Sequence, residues 1–211
     1  MNKILQIGLI LSVLLILGAS IPPARAQNDA PTNATDSLQI ARKHLSCGHT
    51  RLKNKQYDEA ESQLLKAWAH LPDQELTLKK QSQCARLLGR LNHETEKYDQ
   101  AIQWYQKTVT ITPDSKYNKN TFRTLGNLYL YQEKPTEAVI AFQKLLTYGL
   151  KPAVEIETLY HLVVLTSEAQ DFERALEYAN RWAELTPDDV RVQELLAKLH
   201  LRTGGEEEAI A

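Results

Sequence analysis

The sequence has little cysteine and no excess of charge of either sign. Its 211 residues include only two cysteines, Cys47 and Cys84, which are too few for a disulfide scaffold and lack the C-x-x-C spacing of a structural zinc site. Lysine and arginine total 25 against 26 for aspartate and glutamate, so no basic excess favours nucleic acid as a partner. Because 43% of the residues are hydrophobic, we expect an ordinary packed core to stabilise the chain.

The sequence also lacks the common catalytic signatures. Gly204-Gly205 has no G-K-[ST] ending of a phosphate loop, and neither G-x-S-x-G nor S-x-x-K occurs. His93-Glu94 begins like the helix of a zinc protease, but the second histidine is missing. These absences predict a non-enzymatic protein without a cofactor or a metal.

One histidine and cysteine cluster leaves an enzymatic alternative open. His44 and Cys47 are three residues apart and would share a helix face, and His49 follows two residues later. A metal- or thiol-dependent enzyme that uses these three residues is therefore the second hypothesis. The favoured interpretation of Cys47 is a small buried thiol beside Gly48.

The first 26 residues differ in composition from the rest of the chain. Lys3 precedes an apolar run over residues 4–21, and Ala24-Arg25-Ala26 places small residues at the two positions that determine cleavage. We predict a signal peptide over residues 1–26, a flexible leader over residues 27–36, and a mature protein in the bacterial periplasm. The alternative is an uncleaved anchor that holds the protein to the inner membrane, facing the periplasm, as its only membrane contact.

Four copies of one pattern follow this segment. They align on alanines with spacings of 41, 37 and 37 residues: Ala60, Ala101, Ala138 and Ala175. Twelve residues before these alanines the chain has Gly48, Gly89, Gly126 and Val163. Twelve residues after three of them it has Pro72, Pro113 and Pro187, and in the third copy Pro152 comes two residues later.

Each copy is predicted to form two helices that pack as a hairpin. Apolar residues recur at helical spacing on both sides of a short polar turn, and no segment alternates as a strand would. A helical hairpin closes to about 8 Å only where side chains are small, so we expect Gly126 to face Ala138 across the third hairpin. The terminal prolines end the second helices.

The pattern G-x8-Y-x2-A-x12-P on a 34-residue unit resembles the tetratricopeptide repeat family. The resemblance implies an all-α, right-handed superhelix of about four helical hairpins plus a C-terminal capping helix. It places one domain over residues 37–211, with repeats near 41–74, 82–115, 119–152 and 156–189 and a cap over 190–211. Arg51 and Pro135 depart from the family pattern and predict local distortions, and the seven-residue insertion predicts a lengthened helix from Asp73 to about Glu94.

In this family the first helices line a concave groove that binds an extended peptide or a partner helix. The resemblance assigns nine residues to that groove: Arg42, His49, Lys53, Arg86, Arg90, Arg123, Asn127, Tyr131 and Tyr160. Five of them are arginine or lysine, so the expected partner is a protein or peptide, acidic or carboxylate-bearing. The family's carboxylate clamp is incomplete, because His161 and Leu195 occupy two of its polar positions.

The expected function is a protein interaction adaptor of the bacterial cell envelope. Residues 159–187 are similar to periplasmic repeat proteins linked to TonB-type transport, although outer-membrane assembly, pilus biogenesis and peptidoglycan machinery use similar modules. A third hypothesis is head-to-tail self-association, because residues 27–152 hold 18 basic and 13 acidic side chains, whereas residues 153–211 hold 5 and 13. A disulfide between Cys47 and Cys84, on adjacent first helices, remains open.

Overall fold

A computed structural model describes residues 34–71 and 75–204 of the chain. These residues form nine α-helices and one 3₁₀ helix, Glu75–Thr77, and contain no strand. The helices are α1 Ala34–Lys53, α2 Tyr57–His70, α3 Leu78–Glu94, α4 Tyr98–Ile111, α5 Asn118–Tyr131, α6 Pro135–Leu146, α7 Pro152–Glu168, α8 Phe172–Leu185 and α9 Val190–Thr203. The predicted all-α class is confirmed.

The helices pack in chain order. Each odd-numbered helix from α1 to α7 forms a hairpin with the helix that follows it, and each second helix packs against the first helix of the next repeat. This order of contacts is that of the predicted solenoid of four stacked hairpins, with α9 packed on α8 as the additional C-terminal helix. One apolar cluster fills the interior from α1 to α4, and another continues from α4 to α9.

The turn inside each hairpin has the same backbone geometry. Its central residue adopts a left-handed conformation with φ between 55° and 60°, and the next residue donates its N–H to the carbonyl five residues earlier, as Gln56 does to Arg51 at 2.9 Å. Both features belong to the Schellman cap of a helix. The four left-handed residues lie five positions before the repeat alanines: Lys55, Glu96, Glu133 and Gln170.

Three glycines allow large side chains of the second helices to approach the first helices. A Cβ atom on Gly126 would lie 2.5 Å from Cε1 of Phe142, a distance that real Cβ atoms essentially never show. In the other two repeats that contain the glycine, it likewise faces the residue sixteen positions later. There Gly48 faces Leu64 with its Cγ at 2.7 Å, and Gly89 faces Tyr105 with its Cδ1 at 2.8 Å.

The expected contact between Gly126 and Ala138 is therefore wrong in its partner. Phe142, one helical turn beyond Ala138, fills the space that the glycine leaves. In the fourth repeat the equivalent positions hold Val163 and Ala179, which are both fully buried. In this repeat the larger residue lies on the first helix and the smaller one on the second, the reverse of the other three repeats.

Arg51 and Pro135 do not distort their repeats. Helix α1 continues through Arg51 to Lys53, and the Arg51 guanidinium lies 2.6 Å from a carboxylate oxygen of Glu59. Pro135 is the first residue of α6, where its missing N–H would have no helical partner in any case. Both departures from the pattern are tolerated because they fall at helix ends.

Two predicted boundaries shift in the structure. Helix α3 begins at Leu78 after the 3₁₀ helix, so the extension back to Asp73 is not α-helical over residues 75–77, and residues 72–74 lie outside the described residues. Helix α1 begins at Ala34, inside the predicted leader. The predicted signal peptide, the leader up to residue 33 and residues 205–211 of the cap also lie outside the described residues. Over residues 34–71 and 75–204, no helix is long and apolar enough to cross a membrane.

We predict that Gly126→Ala lowers the free energy of unfolding by about 1–2 kcal/mol, because the cost of overpacking against Phe142 exceeds the roughly 1 kcal/mol that alanine gains in a helix.

The double variant Gly126→Val/Phe142→Ala copies the exchanged pair of the fourth repeat. It should be more stable than the sum of its single variants predicts, by at least about 1 kcal/mol.

Urea denaturation monitored by circular dichroism measures these differences. Gly149→Ala is the matched control, because no atom lies within 4 Å of its added Cβ. Strict additivity of the two single changes would show that Gly126 and Phe142 are not coupled.

Candidate partner-binding surface

The nine predicted groove residues all lie on the first helices of the repeats. Helix α1 carries three of them, α3 two, α5 three and α7 one. Eight are exposed, and Arg86 is half-buried. We call the face of α1, α3, α5, α7 and α9 that the second helices leave uncovered the first-helix surface.

Two of the predicted basic residues are already paired with acids. Arg90 Nε lies 2.6 Å from Oε1 of Glu94, one turn further along α3, and Arg123 Nη2 lies 2.5 Å from Oε2 of Glu157 on α7. The other three, Arg42, Lys53 and Arg86, form no ion pair with any residue the structure describes. The row of five basic residues that the sequence predicted for the groove is therefore interrupted at Arg90 and Arg123.

The two predicted tyrosines lie at different places on the surface. Tyr131 ends α5, is 70% exposed, and packs edge-on against Tyr98 at the start of α4 with 4.8 Å between ring centroids. It therefore belongs to the edge formed by the hairpin turns. Tyr160 is 50% exposed and lies on α7, where its ring packs edge-on against Trp182 with 6.0 Å between centroids.

Tyr160 borders a cavity of about 490 Å³ between α7 and α9, which we call the C-terminal cleft. Trp182 of α8 lines it together with Ile156 of α7 and Leu195 of α9. Trp182 is only 5% exposed, so it belongs to the core and also forms part of this cleft. The remaining lining residues are Ala153, Glu157, Arg191 and Lys198.

The cleft combines an apolar lining with a charged rim. Arg191 Nη2 lies 2.8 Å from Oδ2 of Asp189, and the side chain of Arg191 is 82% exposed. The contact of Lys198 is weaker, because its Nζ lies 4.0 Å from Oε2 of Glu194. The indole N–H of Trp182 is buried and has no acceptor among the described residues. An unpaired buried donor costs about 1–3 kcal/mol, so Trp182 carries an unsatisfied polar group inside the fold.

His161 lies beside the cleft and against the core. Its ring stacks on Phe142 with 5.1 Å between centroids and an interplanar angle of 8°. Burial lowers the pKa of His161, and the Arg123 guanidinium lowers it further while Glu157 opposes both effects. His161 is therefore a structural contact of α7 with α6 whose protonation opposes folding.

The residues of the enzymatic alternative do not converge. His44 Nδ1 lies 2.7 Å from Oε1 of Gln63, the ring of His44 stacks on His70, and His49 is exposed. Among residues 34–71 and 75–204, no group of three histidine, cysteine or acidic side chains has the geometry to hold a metal ion.

The two cysteines are free thiols in the structure, so the disulfide that the sequence left open does not form there. Cys84 is buried, its Sγ donates to the carbonyl oxygen of Leu64 at 3.3 Å, and burial raises its pKa to about 12. Cys47 is half-buried, contrary to its predicted core position. Its equivalent in α3, Leu88, packs against the preceding repeat, and no described helix precedes α1 to cover Cys47 in the same way.

Comparison with known proteins supports the repeat assignment. Residues 84–148 match the family model described as tetratricopeptide repeat. Among curated proteins, no sequence matches the chain. The fold is similar to that of several solved structures, all too distant in sequence to show more than the fold.

Three of these structures illustrate the likeness. YrrB, described as a repeat protein of this family with an unusual peptide-binding site, is 14% identical with a TM-score of 0.59, over 83% of this chain and 86% of that chain. The MamA protein is 15% identical with a TM-score of 0.56, over 82% and 87%. A tetratricopeptide repeat protein from Parabacteroides merdae is 18% identical with a TM-score of 0.58, over 81% and 63%.

Residues 84–148 carry the tetratricopeptide repeat sequence, and the described residues have the fold of solved tetratricopeptide repeat proteins.

We predict that Cys47 reacts with a thiol reagent in the native protein at least about 100-fold faster than Cys84, because only about one Cys84 thiol in ten thousand is ionised at pH 8 when its pKa is about 12. Colorimetric thiol counting should give one fast thiol in buffer and two in urea without reductant. Cys47→Ser should remove the fast one. Zero thiols in urea would demonstrate the disulfide.

We predict that the protein loses stability as the pH falls from 7.5 to 5.5, and that His161→Phe reduces this loss. Histidine in the unfolded chain binds its proton near pH 6.5, while folding lowers the pKa of His161, so in this window the unfolded state binds more protons and acid favours unfolding.

Urea denaturation at several pH values measures the effect, with His49→Gln, an exposed histidine of α1, as the matched control. An unchanged pH dependence in His161→Phe would contradict the prediction.

Proposed function

We propose that this protein is a non-enzymatic adaptor that binds an extended segment of a partner protein on its first-helix surface, with the C-terminal cleft as the principal anchor. The observation that carries the proposal is the cleft of about 490 Å³ with the exposed ring of Tyr160 at its border. Aromatic side chains at the edge of an apolar pocket are the residues that most often dominate binding energy at protein interfaces.

The lining of the cleft defines the chemistry of the segment. Ile156, Tyr160 and Leu195 provide an apolar surface for one large side chain of the partner. Lys198 is 75% exposed and lies 4.0 Å from Glu194, so its ammonium group favours a carboxylate next to the apolar residue.

The scaffold itself supports tight binding. Turns closed by Schellman caps and helices fixed by the glycine contacts are ordered before a partner arrives, so little conformational entropy is lost on binding. YrrB, which has a similar fold, is described as having an unusual peptide-binding site.

The proposed place of binding is the bacterial periplasm, and it rests on the sequence of residues 1–26 alone. The alternative is the periplasmic face of the inner membrane, with residues 1–26 retained as an anchor. A partner in TonB-type transport is the finer proposal, from the resemblance of residues 159–187.

A photo-crosslinking amino acid placed at Tyr160 should capture a discrete partner in cells, and the same probe at Ile140 should not. Ile140 is the matched control because it is 56% exposed but lies on α6, a second helix. Mass spectrometry of the adducts identifies the partner and the captured segment.

Leu195→Glu should reduce capture at position 160 at least tenfold, because it places a charge in the apolar lining of the cleft. Equal adducts at positions 160 and 140 would contradict the proposal, and so would adducts that Leu195→Glu leaves unchanged.

A further inference from the structure

A second cavity, of about 470 Å³, lies between α3 and the connection from α4 to α5. Lys79, Lys80 and Arg86 line one side of it, and Ser115 and Tyr117 lie on the other. We call it the basic pocket. Of these five residues, only Arg86 was among the predicted groove residues.

The basic pocket contains positive charge that the described part of the chain does not neutralise. Among residues 34–71 and 75–204, no aspartate or glutamate lines it. The ammonium group of Lys80 contacts only the neutral Oε1 of Gln83, at 3.4 Å, and neither Lys79 nor Arg86 has an ion pair among the described residues. Three cations at one cavity without a carboxylate produce a local potential that favours an anionic ligand.

The wall of the pocket is held in place by hydrogen bonds. The hydroxyls of Ser82 and Thr112 lie 2.7 Å apart and join α3 to the end of α4. Asn118 Nδ2 donates to the carbonyl oxygen of Thr112 at 2.5 Å, which fixes the start of α5 against the same segment. The pocket is therefore formed before a ligand enters.

The spacing of the cations determines the kind of anion. Lys79 and Arg86 are seven residues apart on α3, which separates them by about 10 Å along the helix axis at 1.5 Å per residue. Residues seven apart lie on the same side of a helix, so the two positions can hold two anionic groups of one ligand. A peptide in the polyproline II conformation advances about 3.1 Å per residue with three residues per turn, so acidic residues three positions apart lie on one face of it, about 9 Å apart.

We infer that the basic pocket binds an acidic protein segment with two carboxylates about three residues apart, one held by Lys79 and Lys80 and the other by Arg86. The inference rests on the proposed function only in taking a protein segment as the ligand, because its residues are separate from those of the C-terminal cleft. The basic pocket also differs from the acid-binding site that the sequence predicted, because two of the predicted basic residues, Arg90 and Arg123, are paired with acids of this chain.

The test is an NMR titration of the full chain at low ionic strength with the peptide acetyl-Gly-Glu-Ser-Ser-Glu-Gly-amide. Shifts are expected at amides of α3 and of residues 112–117. The triple variant Lys79→Gln/Lys80→Gln/Arg86→Gln should weaken binding at least tenfold, and the partial variants Lys79→Gln/Lys80→Gln and Arg86→Gln should each weaken it by a smaller factor.

The matched control is Lys55→Gln/Lys66→Gln/Lys151→Gln, which removes the same charge from exposed lysines elsewhere and should change affinity less than twofold. A peptide with both glutamates replaced by glutamine should not bind. Thermal unfolding followed by circular dichroism checks that the variants are folded.

Equal losses in the triple variant and its control would overturn the inference, because binding would then follow net charge. Inorganic phosphate that binds as tightly as the peptide and displaces it would overturn it as well. Failure of Leu195→Glu to reduce crosslinking at Tyr160 contradicts only the proposed function, since this titration does not involve the cleft.

Discussion

The contact on which the rest of the structure depends is the pairing of a small residue on one helix with a large one on its hairpin partner. In the first three repeats glycine is on the first helix, and Leu64, Tyr105 or Phe142 presses into the space it leaves. Because this contact recurs at the same phase, every hairpin closes in the same relative position. Successive hairpins therefore stack with a constant geometry, and the superhelix follows from the repetition of one local fit.

This fit uses one side of each first helix and leaves another side free. Residues that face the second helices and the neighbouring repeats must be apolar and of a fixed size, whereas those on the first-helix surface have no packing constraint. Tyr131 and Tyr160 are exposed there at 70% and 50%, although aromatic side chains bury large areas when a partner is available. A rigid ladder with an unconstrained face is suited to binding, because the face can change without altering the fold.

The sequence predicted the repeat phase, the all-α class and the exposure of both tyrosines, because these follow from residue spacing and size. It did not predict that Phe142, and not Ala138, meets Gly126, since that depends on the side-chain direction along a helix. It also missed the pairing of Arg123 with Glu157, which requires two helices 34 residues apart to be correctly aligned. Of the aromatic residues that line the C-terminal cleft, the sequence placed Tyr160 on the binding surface but did not indicate Trp182.

The two cavities differ in chemistry, and the scaffold fixes their separation. The basic pocket lies at α3 and the C-terminal cleft at α7 to α9, with the third repeat between them. On a flexible chain, binding at one site would do little to position a ligand at the other. On a rigid superhelix, a partner with a carboxylate pair at one end and a large apolar residue at the other gains both contacts only if its own spacing matches. Selectivity would then come from the distance between two modest sites, a quantity set by the stacking contacts and not by any residue of either site.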